Sequence, residues 1–288
     1  LARPVTPPAA SQSLVTRPGV ASILGQPNGG VDVVSVNGGS NTDYRAFLWI
    51  EATVDAFTNR DAIALGTWTP FTTVENTVIT RVGDTSSSGI RVGAGGATLR
   101  DLSLDDVNEG INVTGSCGLM EDVLIVGEGV NGYSTFSGVY LNDSNWTVRR
   151  LTSVSNARDG IDARGTRNLI EDSTFANNNE NGLVFNGTSS IGLDVRAYNN
   201  TLVGLAGDEG TTSVTTNNHV QRFISAGNRT GVGTMAGASL GIAVANDQRG
   251  SYLDLLHGGV TAANNGDEGF YRTQHVLNGL ALNNFPGG

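Results

Sequence analysis

Five side chains with chemistry to offer fall at set places around a recurring glycine: Glu109, Tyr140, Asp159, Asp162 and Arg164. Glu109 and Asp159 each directly precede that glycine, two repeats apart. If repeats stack like neighbouring strands, two of them span roughly 9–10 Å. That is close to the separation of about 6.5–9.5 Å between the acid and base of an inverting glycosidase. Tyr140, Asn142, Asp162 and Arg164 follow the glycine by two or four residues and would meet as one outward patch on neighbouring repeats. A ring that stacks on a sugar, groups that bond its hydroxyls and a guanidinium fork for a uronate or sulfate form a carbohydrate-binding set. The same set suggests β-elimination, with Arg164 neutralising the carboxylate and Tyr140 as the base. A tyrosine of ordinary pKa, about 10, is a poor base unless its surroundings shift it. The plainer reading is that the acids are solvated charges on an acidic surface.

Composition narrows what could position these groups. The 288 residues include 40 Gly and 28 Asn, a load of turn formers that excludes an all-α fold. All 17 basic residues are Arg, against 27 acids, for a net charge of -10. Without Lys there is no Schiff base, pyridoxal anchor or Walker A loop. Without a basic run, nucleic acid is not an expected partner. Cys117 is the single cysteine, so no intrachain disulfide is available, and a buried structural thiol is expected there. No run of 18 apolar residues occurs, so no membrane-spanning helix is expected. His219, His257 and His275 lie at unrelated phases and are read as structural; no metal and no cofactor is expected. The chain opens on Leu, which is read as a start following a cleavage or a further segment.

The positioning element is a repeat. Gly followed by an aliphatic residue recurs at Gly89-Ile90, Gly110-Ile111, Gly138-Val139, Gly160-Ile161, Gly182-Leu183 and Gly204-Leu205. The spacings are 21, 28, 22, 22 and 22 residues. Thirteen residues after each Gly come Leu102, Val123, Leu151, Ser173 and Val195; fifteen after come Leu104, Ile125, Ser153, Phe175 and Ala197. A polar corner separates the apolar columns at Asp101, Asp122, Arg150, Asp172 and Asp194. Four residues before the next Gly stands a second polar column of Asp106, Asn156, Asn178 and Asn200, with Asn265 later. Its Asn are expected in left-handed turns, with their amides chained along the stack. Three short alternating strands per coil of about 22 residues make a parallel β-helix.

The runs DGIDARGTRNLIEDSTFANNNENGLVFNGTSS and EGINVTGSCGLMEDVLIV resemble right-handed parallel β-helices of the pectate-lyase superfamily type, most of all phage tailspike and virion spike proteins. That superfamily also holds polysaccharide lyases, polygalacturonases and mannuronan epimerases. The likeness lies in coil-building residues over about 76–288. The enzyme motifs are not matched. Where mannuronan epimerases carry Asp-Pro-His-Glu, this chain has Asp162-Ala163-Arg164-Gly165, without the proton-transferring His. The polygalacturonase Gly-His-Gly has no counterpart, Asn41-Thr42-Asp43 lies outside the coils, and Asp105-Asp106 stands alone.

The N-terminal quarter differs. Residues 1–30 hold five of the seven prolines and read as an extended arm. Residues 31–75 read as a β cap or docking element, with Leu48, Ile50, Ala52, Val54 and Ala56 alternating against polar neighbours. Residues 76–288 form the β-helix. The expected function is a virion spike, fibre or decoration protein. It would be a homotrimer, anchored to other virion proteins through residues 1–75, and would contact host polysaccharide. The alternatives are a secreted polysaccharide lyase, epimerase or hydrolase, and a bacterial surface adhesion module. Six extra residues between Gly110 and Gly138, including Tyr133 and Phe136, are expected to wall a cleft or make a subunit contact.

Overall fold

The computed structural model describes residues 61–67, 70–80, 88–127, 136–207 and 218–229 in full. It describes the backbone alone for strands at 11–16, 19–25, 31–37, 49–50, 53–57, 81–82, 230–234, 255–257, 261–263 and 280–282. Strands from successive repeats pair in parallel and in register. Ile90 faces Ile111, then Val139, Ile161, Leu183, Leu205 and Val232 along one sheet. The first six members of that ladder are fully buried. A second sheet completes each coil and bends at the polar corner into two wings. In early coils one long strand runs through the bend, as in Thr98–Val107 and Leu119–Gly127. In later coils it divides into pairs such as Leu169–Glu171 and Thr174–Ala176. The three faces enclose one continuous core. The chain is therefore an all-β parallel β-helix.

Near the N-terminus, Ser11–Thr16 and Gly19–Gly25 pair antiparallel with each other, and Val31–Asn37 continues antiparallel. Parallel pairing starts at Val31–Asn37 with Ile63–Leu65, and Thr53–Phe57 joins Thr73–Val82 in the same way. Coil-type pairing thus reaches back before residue 76. His275, Asn265, Tyr133 and most of residues 1–60 lie outside the described residues.

The recurring glycine is a steric requirement. A Cβ at Gly110 would come 2.4 Å from the Gly138 carbonyl oxygen and 2.7 Å from Ile125 Cγ2; one at Gly182 would meet Gly204 O at 2.6 Å. The chain there presses both on the next coil and on the inward column of the third face. The polar corner bends through left-handed backbone in every described coil: Asn76, Asp101, Asp122, Arg150, Asp172, Asp194 and Arg222 have φ between 47° and 54°. One such residue turns the strand sharply while its neighbours stay paired, at a cost of about 1–2 kcal/mol for a side-chain-bearing residue.

The Asn column forms the expected ladder. Asn156 Nδ2 donates to Asn178 Oδ1 at 2.7 Å, Asn178 to Asn200 at 2.9 Å, and Asn200 to Asn228 at 2.9 Å. Each Oδ1 also accepts the previous coil's backbone N–H. Two details differ from the sequence reading. The left-handed residues are the preceding ones, Ser155, Asn177 and Asn199, because the ladder side chain itself must point inward. Asp106 takes that left-handed corner place and is no member of the ladder, while Asn228 is. A second polar column that the periodicity did not reveal runs through Asn168, Ser190 and Asn218, headed by buried Trp146. Trp146 Nε1 donates to Gly115 O at 2.6 Å, and its ring fills the space that a Cβ at Gly118 would need.

Cys117 is a correction. It is exposed, at φ 63°, because it is the apex of the corner between the first and second faces, where the side chain points away from the core.

Two substitutions test this architecture. Ile161→Asp should leave no cooperative unfolding transition, since a buried unpaired charge costs a large part of a global stability of about 5–15 kcal/mol. Asn178→Ala orphans groups in both flanking coils and should lower stability by about 2–3 kcal/mol in urea titration. A native-like midpoint in either variant would contradict the ladders described.

Candidate functional site

The residues before the recurring glycines line the outer side of the first sheet. In coil order they are Ser88, Glu109, Ser137, Asp159, Asn181 and Val203, with Asp61 one coil earlier, where Ala62 stands in place of the glycine. A carboxyl occupies every second coil from Asp61 to Asp159, with a donor between. Parallel stacking would otherwise set like charges about 4.8 Å apart. The Ser88 backbone N–H donates to Asp61 Oδ1 at 2.8 Å, and the Ser88 hydroxyl donates to Glu109. Ser137 Oγ donates to Asp159 Oδ2 at 3.0 Å, and Asn181 Nδ2 to Asp159 Oδ1 at 2.8 Å. Asn112 adds a donor to Glu109 at 3.1 Å.

The neighbouring column, two residues after the glycine, is Arg91, Asn112, Tyr140, Asp162, Val184 and Ala206. It changes character along the stack. Arg91 pairs with Asp61 at 2.9 Å. Val184 and Ala206 are buried with Val203 in a small second apolar cluster. Asp162 lies between these regimes. Arg164 Nε donates to it at 2.7 Å and Asn186 Nδ2 at 2.9 Å, while the Arg164 guanidinium sits 4.8 Å from the centre of the Tyr140 ring.

Tyr140, Asp162 and Arg164 are therefore together, with Asn142 exposed one coil before Arg164. The expectation that Asp162 faces solvent is corrected: it is fully buried, because Arg164, Tyr140 and Asn186 close over it. The plain reading of Glu109 and Asp159 as solvated surface charges is corrected too. They are 4% and 0% exposed, and their oxygens are taken up by donors on adjacent coils. Phe136 of the inserted segment is half-buried, and residues 128–135 lie outside the described residues. His219 is half-buried on the second face, away from this patch.

Burial raises all three carboxyls above their ordinary values. For Glu109 it outweighs the bonds from Ser88 and Asn112. For Asp159 it outweighs Arg158 and Asn181. Asp162 is raised by burial and by the neighbouring Asp159 charge, against the pull of Arg164 and Asn186. The outer corner behaves oppositely. Asp122 and Asp194 are held low by bonds from Arg150 and Arg222, and Glu121 by Arg149. The sequence signal for the first-sheet ladder was the residue before each repeat glycine, read as a column. The donors Ser88, Ser137 and Asn181 carry no such signal, because a residue that does not titrate marks no chemistry until its acidic neighbours in the stack are known.

Comparison with known proteins agrees on the fold. Residues 137–247 match the family model described as the right handed beta helix region, so the solenoid is a right-handed parallel β-helix. Among solved structures, the Dettilon tailspike protein is similar at 12% identity and a TM-score of 0.44, over 82% of this chain and 61% of that one. A mutant of the periplasmic alginate epimerase AlgG is similar at 12% identity and 0.46, over 88% and 65%. ORF18 of Geobacillus virus E2 is similar at 10% identity and 0.44, over 89% and 55%. The chain thus spans less than two thirds of each of these three proteins. No curated protein matches the sequence.

The raised carboxyls make a pH prediction. A group whose pKa is higher folded than unfolded adds stability that is complete below about pH 4 and is lost as pH rises through the folded value. The exposed Arg-paired acids lose their contribution only on further acidification. Melting temperature should therefore rise as pH is lowered from 7 toward about 4, where the unfolded carboxyls also take up protons. That rise should shrink in Asp159→Asn and Asp162→Asn. A flat or falling profile in the wild type would refute it.

Proposed function

We propose that this chain is a structural β-helix of a bacteriophage virion, a spike, fibre or decoration protein held through its N-terminal region. It contacts host surface polysaccharide on the patch formed by Tyr140, Asn142 and Arg164. The observation that carries the reading is the closure of the outer polar groups into internal ladders. Glu109, Asp159 and Asp162 spend their oxygens on Ser, Asn and Arg donors of the same solenoid. Such a surface is built for rigidity, and exposed Asn142 with the outer edges of Tyr140 and Arg164 is what a polysaccharide would meet. Its place is the virion or the extracellular space, and its partners are copies of itself and virion proteins meeting residues 1–75. Immunogold microscopy of purified particles should label the surface; particles that lack the chain would overturn the assignment. On immobilised host polysaccharide, Arg164→Ala and Tyr140→Phe should each weaken binding. Unchanged binding would remove the patch from the reading.

A second reading, polysaccharide hydrolysis, is favoured by one observation. Glu109 and Asp159 share a column two coils apart, at the stacking distance roughly 9–10 Å, and both are raised. A raised carboxyl is suited to act as a general acid near neutral pH. On this reading the wild type releases reducing ends from a host or algal polysaccharide, and Glu109→Gln or Asp159→Asn lowers the rate about a hundredfold or more. No release by the wild type, or variants that match it, would exclude hydrolysis.

A further inference from the structure

The two wings of the bent sheet carry opposite surface chemistry. On the second face, the column Glu75, Arg100, Glu121, Arg149 and Glu171 alternates in sign from coil to coil, with Glu75 bonded to Arg100 and Arg149 to Glu121 at 2.8 Å. On the third face, one outward column reads Val78, Ser103, Leu124, Thr152, Thr174, Arg196 and Ile224. The other reads Thr80, Asp105, Val126, Val154, Ala176, Tyr198 and Ala226. Val78, Leu124 and Ile224 are 40%, 40% and 36% exposed. Asp105 and Arg196 are the two charges among these positions, and no ion pair joins either to another described residue.

We infer that this third face is a self-complementary interface on which a second copy docks with its coil axis reversed. The sheet continues beyond both, into Thr53–Phe57 on one side and Thr261–Ala263 on the other; Asp105 lies one coil from Val78, and Arg196 one coil from Ile224. Thr152 and Val154 mark the middle. A two-fold axis in the plane of the face, along the strands and through that middle coil, exchanges the three coils on one side of it with the three on the other. It sets Val78 over the partner's Ile224 and brings Asp105 within reach of the partner's Arg196, twice by symmetry. With the coil axes parallel, the two face each other at equal height. Each Asp105 then meets the other Asp105 and each Arg196 the other Arg196, while opposite charges stay four coils, about 19 Å, apart. Charge therefore selects the antiparallel pair, and like-charge juxtaposition penalises the parallel one. At the polar corner beside this face, Arg150 bonds Asp122 at 2.7 Å and Arg222 bonds Asp194 at 2.6 Å. The interface stands independently of the virion assignment. For a chain held by its N-terminus, it puts the two N-terminal regions at opposite ends, as suits a bridging decoration protein and not a projecting spike.

The test is sedimentation equilibrium of the full chain across a range of concentration and salt. The wild type should form a dimer that salt weakens. Arg196→Asp and Asp105→Arg should each weaken it at least about tenfold through like-charge contact. The double exchange should restore it, and every variant should unfold cooperatively, the monomeric ones without the dimer's concentration-dependent gain in melting temperature. A wild type that stays monomeric, a trimer, single variants that dimerise like the wild type, or a double exchange that fails to recover would each overturn the proposal. Leu124→Glu, which is exposed and should fold, must also abolish the dimer; a dimer that survives it lies on another face. Labelling of virions can fail while the dimer forms, and the reverse, so the two readings are separately decided.

Discussion

In-register parallel stacking governs this molecule. Each residue faces its counterpart one coil above and one below at about 4.8 Å, so every column must be compatible with itself. Apolar columns meet that condition at no cost, and the ladder from Ile90 to Leu205 is the result. Polar columns meet it only if donors and acceptors interleave. Asn does so unaided, because one amide both donates and accepts, and Asn156, Asn178, Asn200 and Asn228 form a buried chain. Where that chain begins, Asn156 Oδ1 has no partner among the described residues.

Charged columns need a different solution, and the chain uses two. On the second face Arg alternates with acids, and at the polar corner Arg150 and Arg222 each pair with the Asp of the preceding coil. Beside the recurring glycine, acids are diluted by Ser and Asn at every second coil. Glu109 and Asp159 in that ladder, and Asp162 in the column beside it, are buried, and burial raises these carboxyls above their ordinary values. The same stacking rule thus produces solvent-screened ion pairs at one corner and buried acids of raised pKa on another face.

The candidate patch was partly legible. That Tyr140, Asp162 and Arg164 converge follows from counting positions relative to Gly138 and Gly160, and the structure brings them together. Their exposure was not legible. Alternation assigns a side chain to the inner or outer side of a sheet, but says nothing of what lies over the outer side. Asp162 is outward in register and yet buried, because Arg164 folds back across Tyr140. Cys117 failed the other way. Small neighbours suggested an interior site, whereas the left-handed bend at that corner turns its side chain to solvent.

By itself the sequence determined the solenoid, its coil length, the inward columns and the existence of an amide ladder. Those are periodic properties, and a period is visible in one dimension. Tertiary structure decided which residue at each corner takes the left-handed turn, where Trp146 displaces the second polar ladder, and how deeply the acids are buried. It also decided that one wing of the bent sheet neutralises its own charge while the other leaves Asp105 and Arg196 without such a partner among the described residues. These outcomes depend on the space between a side chain and groups 20 to 30 residues away, and on solvent access across a whole face. Neither quantity repeats along the chain, so no spacing rule could carry it.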